Sequence, residues 1–271
     1  AAGGARELQL LRAASDPRNT NLGHFRAAAR LEPLDAAGVE LHKVRILAKS
    51  MYGTVALHRL RRPADAAAGG STGGDGASEE EQVAVKETPN ELANHNQSKE
   101  TSEWAAHLDA SDAPRAEDPL TEIGILSYLS EQRDLPLYIL RMLGAFVDTR
   151  CTYLVTEYAE GGELFGLAAS GTRLPEVQLR TYTWQILQAV KYLHFHDIGH
   201  RDISLENILL KNGAIRLMDF GMSALVRRPS GETLRYFRSV GKGTYQAPEC
   251  YVPPGAEARV VAPHPRRPGA A

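Results

Sequence analysis

From Val39 to Leu60 apolar and polar positions alternate closely enough to predict two strands, with Val39, Leu41, Val44 and Ile46 in the first and Val55 and Leu57 in the second. Val83-Ala84-Val85-Lys86-Glu87 predicts a short strand ending near a lysine. Two further apolar stretches, Met142 to Val147 and Tyr153 to Thr156, complete an antiparallel sheet. Elsewhere the period lengthens. Asp118 offers a carboxylate at an N-cap and Pro119 a fixed φ at the first helical position. Glu122, Leu126 and Leu129 follow at i, i+4 and i+7 and so share one helix face. The strongest helical pattern opens at Pro175 and runs through Leu179, Thr183, Ile186, Leu187, Val190, Leu193 and His194. Ile208 to Leu210 and Ile215 to Met218 are short strands on either side of the turn Lys211-Asn212-Gly213.

Four regions lack such a pattern. Residues 1–38 are rich in Ala and Arg, with weak helical signals such as Glu7-Leu8-Gln9-Leu10-Leu11, and predict a poorly ordered N-terminal extension. Residues 62–81 hold an Ala/Gly/Ser run followed by Glu79-Glu80-Glu81, which buries too little apolar surface to offset its ordering entropy; a flexible insert is expected. A second insert covers 90–117, polar apart from a helical turn or two at Glu103 to Leu108. Residues 250–271 form a Pro/Arg-rich tail with no amphipathic period, expected to be disordered.

Bulk charge narrows the partners. With 31 Lys and Arg against 33 Asp and Glu, the chain has no excess of positive charge to draw it to nucleic acid or to an acidic membrane. No apolar run is long enough for a membrane segment. Cys151 and Cys250 are the only cysteines, too few for a disulfide framework, which fits a reducing, intracellular and cytoplasmic setting. The first residue is not Met, and no apolar signal-peptide core follows it, so the start reads as the cut edge of something longer.

The chemistry concentrates in Gly199-His200-Arg201-Asp202-Ile203-Ser204-Leu205-Glu206-Asn207-Ile208-Leu209. Its His-Arg-Asp with an Asn five residues after the Asp is followed by Asp219-Phe220-Gly221 and then by Ala247-Pro248-Glu249. Phosphoryl transfer to a hydroxyl needs a carboxylate to take the proton, and an amide oxygen and second carboxylate to hold Mg²⁺. Asp202, Asn207 and Asp219 supply these in order. His194 and His196 read as helix-end and surface residues rather than ligands, because no metal-ligand spacing surrounds them.

These motifs resemble the eukaryotic protein kinase family. Ser204-Leu205-Glu206-Asn207 is more similar to the Ser/Thr branch than to tyrosine kinases. The resemblance spans Val39 to Glu249 and implies an α+β, protein-kinase-like two-lobe fold. Residues 39–156 would be an N-lobe with an antiparallel sheet and a regulatory helix; residues 157–249 would be the hinge and a partial, mainly helical C-lobe. It further implies ATP and Mg²⁺ as cofactors and a protein substrate. Lys86, paired with Glu122, would position phosphates. Gly53, Val55 and Ala84 would lie around the nucleotide from the sheet, and Leu209 from below. Glu157 and Ala159 would offer hinge backbone to adenine, with Thr156 as the small gatekeeper and Glu163 near ribose or a substrate arginine. Arg201 would receive a phosphorylated residue from the activation loop, where Ser230, Thr233 and Ser239 are available. Arg227-Arg228-Pro229-Ser230 itself looks like a basic-directed site.

The chain departs from the family pattern in three places. Ala48 and Ser50 stand where the phosphate loop has its first two glycines, leaving Gly53 and Val55. Helices expected after Glu249 do not follow, so the resemblance implies a kinase incomplete at its C-terminal lobe that leaves apolar surface uncovered. Ser204 occupies the position of a catalytic-loop lysine, and Lys242, after Gly241, that of a threonine. The exchange is complementary, so Lys242 is expected to replace the missing ammonium with Ser204 as its hydrogen-bond partner. The rival reading is a pseudokinase-like binding module or truncated fragment.

Overall fold

The computed structural model describes residues 25, 28–62, 80–93, 118–227, 230–231, 233 and 241–247. A six-stranded sheet forms its upper part, built from β1 (Glu32–Pro33), β2 (Glu40–Ser50), β3 (Gly53–Arg61), β4 (Glu81–Pro89), β5 (Met142–Val147) and β6 (Cys151–Glu157) in the order β1-β5-β6-β4-β3-β2. All neighbours are antiparallel except β1 and β5, which run parallel with Glu32 opposite Phe146. The sheet is therefore mixed rather than purely antiparallel. The same pairing corrects the expectation of an unstructured stretch through residue 38, because two residues are too few to show a period in the sequence. Leu60, Val83, Val85, Phe146 and Val155 bury one face of the sheet, with Leu34, Val39 and Leu41 packed against them.

Val44 and Ile46 point outward, against the simple alternation. Register shifts between Lys43 and Arg45 and between Ile46 and Ala48 break the period, and β2 lies at the edge of the sheet. At the tip of the β2–β3 hairpin Met51 is exposed while Tyr52 folds inward and is buried. Three insert boundaries also move inward. Glu81 starts β4, Arg62 donates to the Leu143 carbonyl at 3.0 Å, and Asn90–Ala93 form the one-turn helix α1. The turns expected at Glu103 to Leu108, the helical signal near Glu7, Ser239, Pro248-Glu249, Cys250 and the Pro/Arg-rich tail lie outside the described residues.

Helix α2 (Pro119–Ser130) starts as its sequence dictates: the Asp118 carboxylate accepts from Thr121 N at 2.8 Å and Thr121 Oγ1 at 2.7 Å, and Pro119 takes the first turn. Pro119 to Ser127 and Leu129 are all buried. Below the sheet lie α3 (Leu164–Ala169), α4 (Glu176–Phe195), and the strands β7 (Ile198–Gly199), β8 (Ile208–Lys211), β9 (Ala214–Leu217) and β10 (Ala224–Leu225). β8 and β9 form a hairpin closed by Asn212 and Gly213, both at positive φ (50° and 74°), as a tight hairpin turn requires.

The buried face of α4 is Tyr182, Gln185, Ala189 and Leu193. Leu193 was expected there; Leu179, Thr183, Leu187 and His194 instead face outward. The helix carries apolar residues on more than one side, so a 3.6 period alone admits two orientations. Gln185 selects one of them, since its Oε1 accepts from Ile215 N at 3.0 Å and satisfies the β9 backbone. Val177, Leu179, Trp184, Leu187 and Phe195 are exposed. No described helix is long and apolar enough to cross a membrane.

Candidate functional site

The loop between β7 and β8 is fixed by a buried histidine. The His200 ring meets the Met218 carbonyl through Nε2 at 3.0 Å and accepts from Asp202 N through Nδ1 at 3.3 Å, so Nε2 carries the proton. Burial holds its pKa below the ordinary histidine value, and its ring lies 5.1 Å from that of fully buried Phe220. Ser223 Oγ donates to the His200 carbonyl at 3.1 Å, and Met218 N to the Asn207 carbonyl at 3.0 Å. Backbone and core thus hold the two acidic motifs together.

Within this frame Asp202 is clamped at both oxygens. Oδ2 accepts from Asn207 Nδ2 at 2.8 Å, and Oδ1 from the Lys242 backbone N at 3.2 Å. Asn207 Nδ2 also donates to the Asp202 carbonyl at 2.8 Å. Gly241 makes the Lys242 approach possible: it has φ 84°, and a Cβ there would meet the Arg201 carbonyl oxygen at 2.6 Å. Asp219 also has positive φ (63°), and its Oδ1 accepts from Gly221 N at 3.3 Å.

The Lys242 side chain turns to Ser204, donating to its Oγ at 2.7 Å, with Glu206 Oε2 at 3.8 Å. The hydrogen bond expected from the exchanged residues is present. Glu206 has a lowered pKa, from a hydrogen bond to its own backbone amide and, more weakly, from Ser204 and Lys242.

On the sheet side, Lys86 of β4 meets Glu122 of α2 at 2.7 Å, both side chains nearly buried. Gly53 sits where a Cβ would lie 1.9 Å from the Glu87 carbonyl oxygen, so close strand packing already demands glycine there. Ala84 faces Thr156 across β4 and β6, and Val55 faces Lys86 across β3 and β4. Leu209 and Glu163 form an isolated bridge that brings the exposed Glu163 beside β8. Ala159 is buried in the connection between the two parts.

Glu157 does more than its position in sequence suggested. Its carboxylate accepts from Arg216 Nε at 3.1 Å and Arg141 N at 3.0 Å, and pairs with Lys211 Nζ at 2.9 Å. Nothing in local spacing announces this network; the buried Arg216 on a short strand was its one hint, since a buried guanidinium needs an anion. Also unforeseen is the bond from Asp118 N to the Gly221 carbonyl at 3.0 Å, which ties the start of α2 to the Asp-Phe-Gly segment. Of the activation-loop hydroxyls, Ser230 and Thr233 are exposed, beside an isolated bridge between Arg227 and Thr233. His196 is half-buried and meets Tyr128 Oη at 3.0 Å through Nδ1. Among the described residues no three His, Cys, Asp or Glu side chains gather to hold a metal ion by themselves.

The donor set fits Mg²⁺ shared with phosphates. That ion takes hard oxygens, often one or two from protein. Asn207 spends its NH₂ on Asp202, which leaves Oδ1 as an acceptor, and Asp219 adds a carboxylate.

Comparison with known proteins shows the family. Residues 76–258, more than half the chain, match the family model described as protein kinase domain. The chain is 43% identical over 90 residues to cAMP-dependent protein kinase type 3 of Saccharomyces cerevisiae, covering 33% of this chain and 23% of that one. It is 41% identical over 98 residues to CBL-interacting protein kinase 31 of Oryza sativa, covering 36% and 22%. Against serine/threonine-protein kinase SIK2 of Gallus gallus it is 38% identical over 132 residues, covering 48% and 15%. The aligned stretches thus span less than a quarter of these relatives' lengths. The chain belongs to the protein kinase family.

Proposed function

We propose that the protein is an intracellular Ser/Thr kinase that transfers the γ-phosphoryl group of MgATP to a hydroxyl of a protein substrate. The observation that carries this reading is the two-sided clamp on Asp202 by Asn207 and the Lys242 backbone. A carboxylate held by both oxygens is oriented before substrate arrives, so little reorganisation is left for the reaction.

In this reading the acceptor oxygen bonds to the γ-phosphorus as the bond to the ADP oxygen breaks, and Asp202 takes the hydroxyl proton. Lys86, oriented by Glu122, holds the α- and β-phosphates. Asn207 and Asp219 hold Mg²⁺, which when bound neutralises charge on the phosphates. Adenine is held by backbone at Glu157 and Ala159, beside Thr156, Ala84, Val55 and Leu209. Gly53 turns the hairpin over the phosphates. Lys242 stands in for the catalytic-loop lysine and stabilises charge on the transferring group, with Ser204 as its rest. Glu163 and Glu206 favour basic residues near the acceptor, and Ser230 is a site of autophosphorylation.

A second reading, a nucleotide-holding module without transfer, is favoured by Ala48 and Ser50 in the hairpin and by Tyr52 folded beneath it. Transfer of labelled γ-phosphate to a peptide by the chain, beside Asp202→Asn, separates the two. Turnover lost in Asp202→Asn supports the kinase; equal background from both supports the binding module.

A further inference from the structure

Helix α2 is buried on almost every side, whereas a helix packed on one layer usually keeps a polar face to solvent. Glu122, Leu126 and Leu129 share the inner face. At 100° per residue, Gly124 and Ser127 fall on the opposite side. What covers that outer side is the chain's own N-terminal part. Phe25 lies in the main core cluster, with Ala29 and Leu31 packed against it. Arg30 N reaches Ser127 Oγ at 3.5 Å, and Arg30 Nη2 pairs with Glu131 Oε1 at 2.6 Å. The strand β1 follows directly, and Leu34 N donates to the Val147 carbonyl at 3.0 Å, so the segment is anchored to the sheet edge.

Gly124 is the residue that makes this approach possible. Glycine in a helix interior is unfavourable, and this one has no positive φ to explain it. A Cβ at Gly124 would lie 1.7 Å from the Phe25 carbonyl oxygen and 2.6 Å from its carbon, inside backbone that cannot turn aside.

We propose that Phe25 and Ala28–Leu34 form a built-in strap, seated on Gly124, that presses α2 inward and so keeps Glu122 against Lys86. Phe25 and Gly124 are positioning residues for the Lys86–Glu122 pair. The inference rests on the kinase reading only for its effect on turnover; its structural part stands separately. It also gives a role to residues that carry no motif.

The test uses the full chain with Gly124→Ala and, as a second variant less prone to misfold, Phe25→Ala, and with Phe25→Leu as the conservative replacement. Each is measured for kcat, for ADP affinity, and for amide hydrogen exchange along α2. The expected result is a fall in kcat of about tenfold or more in Gly124→Ala and Phe25→Ala. ADP affinity should stay within about threefold, because adenine is held at the hinge. Exchange should quicken in α2 while β8 and β9 keep their protection, and Phe25→Leu should recover most of both. Wild-type exchange in α2 of Phe25→Ala would overturn the strap, and so would a loss of protection spread evenly over all elements. If the wild-type chain matches Asp202→Asn in transfer, the kinase reading fails, and the exchange pattern alone then decides the strap.

Discussion

Replacing Lys242 by threonine removes an ammonium held 2.7 Å from Ser204 Oγ and 3.8 Å from Glu206, at the rim of the clamped Asp202. Removing one preorganised charge-stabilising donor typically costs 10²–10³ in kcat, about 2.7–4 kcal/mol. The Lys242 side chain is 39% exposed, so water screens it and the lower end, about 10², applies. The single change Ser204→Lys is also harmful. It places a second ammonium against the first in a slot where Ser204 is 1% exposed, and a further loss of about 10–100-fold is expected. Independent losses would multiply to about 10³–10⁴ in the double variant. The structure predicts otherwise: Ser204→Lys with Lys242→Thr restores one hydroxyl and one ammonium across the same gap. The double variant should lose only about tenfold, a coupling of at least ~2.7 kcal/mol at 1.36 kcal/mol per decade. Initial rates of γ-phosphate transfer at saturating ATP measure the cycle, and thermal midpoints check that all four proteins are folded. Losses that multiply, or a Lys242→Thr enzyme with wild-type kcat, would refute the role given to Lys242.

Lys86→Met, which leaves Glu122 without its 2.7 Å partner, should cut kcat by about 10²-fold or more while ADP affinity, read by calorimetry, moves less than tenfold. Asp219→Asn should raise the Mg²⁺ concentration needed for half-maximal rate by about tenfold or more, and chelation of Mg²⁺ should stop wild-type transfer altogether; a Mg²⁺ titration checks both. His200 is buried with its pKa lowered by that burial, despite the opposing pull of Asp202 and Asp219 and aided by Lys242. Below about pH 6.5 the unfolded chain then takes up a proton that the folded chain refuses, so stability should fall on acidification by up to ~1.4 kcal/mol per pH unit for this group. His58, also lowered by burial, adds a slope of the same sign, so urea unfolding of His200→Gln at pH 7.5 and 5.5 should show a reduced but not abolished pH dependence. Peptide arrays should show preference for arginine upstream of the acceptor, weakened in Glu163→Gln; arrays without such a preference would remove the basic-substrate reading.

What the sequence made legible is what depends on neighbours along the chain. Asp118 and Pro119 announced a helix start, Asn212-Gly213 a tight hairpin, and the His-Arg-Asp and Asp-Phe-Gly spacings a loop that the buried His200 knits to Met218. Lys242 and Ser204 became legible as a pair only because two departures from the family pattern matched each other. What stayed hidden depends on contacts between remote segments. Glu32–Pro33 is too short to carry a period, and its strand exists because β5 offers a free edge. The bulges in β2 turned Val44 and Ile46 outward, and a local alternation cannot register a slipped pairing. The face of α4 was misread because its apolar residues encircle it, and only Gln185 reaching the β9 backbone breaks the tie. Gly124 could have been noticed, since a glycine inside an apolar helix often marks a close approach.

The threefold attachment of the Glu157 carboxylate makes the connection between sheet and lower part a fulcrum. Glu157 pairs with Val83 at one end of β4, whereas Glu87, four residues along, stands opposite Thr54 at the base of the β2–β3 tip. At about 3.3 Å per residue the tip therefore rides a lever arm of roughly 13 Å. Any rotation of the sheet about Glu157 is small at the hinge and large at the tip: about 10° displaces the tip by roughly 2 Å. A base seated at the hinge would scarcely register that swing, while phosphates under the tip would lose or gain their alignment entirely. In the kinase reading proposed above, breathing of the cleft would thus separate holding a nucleotide from using it.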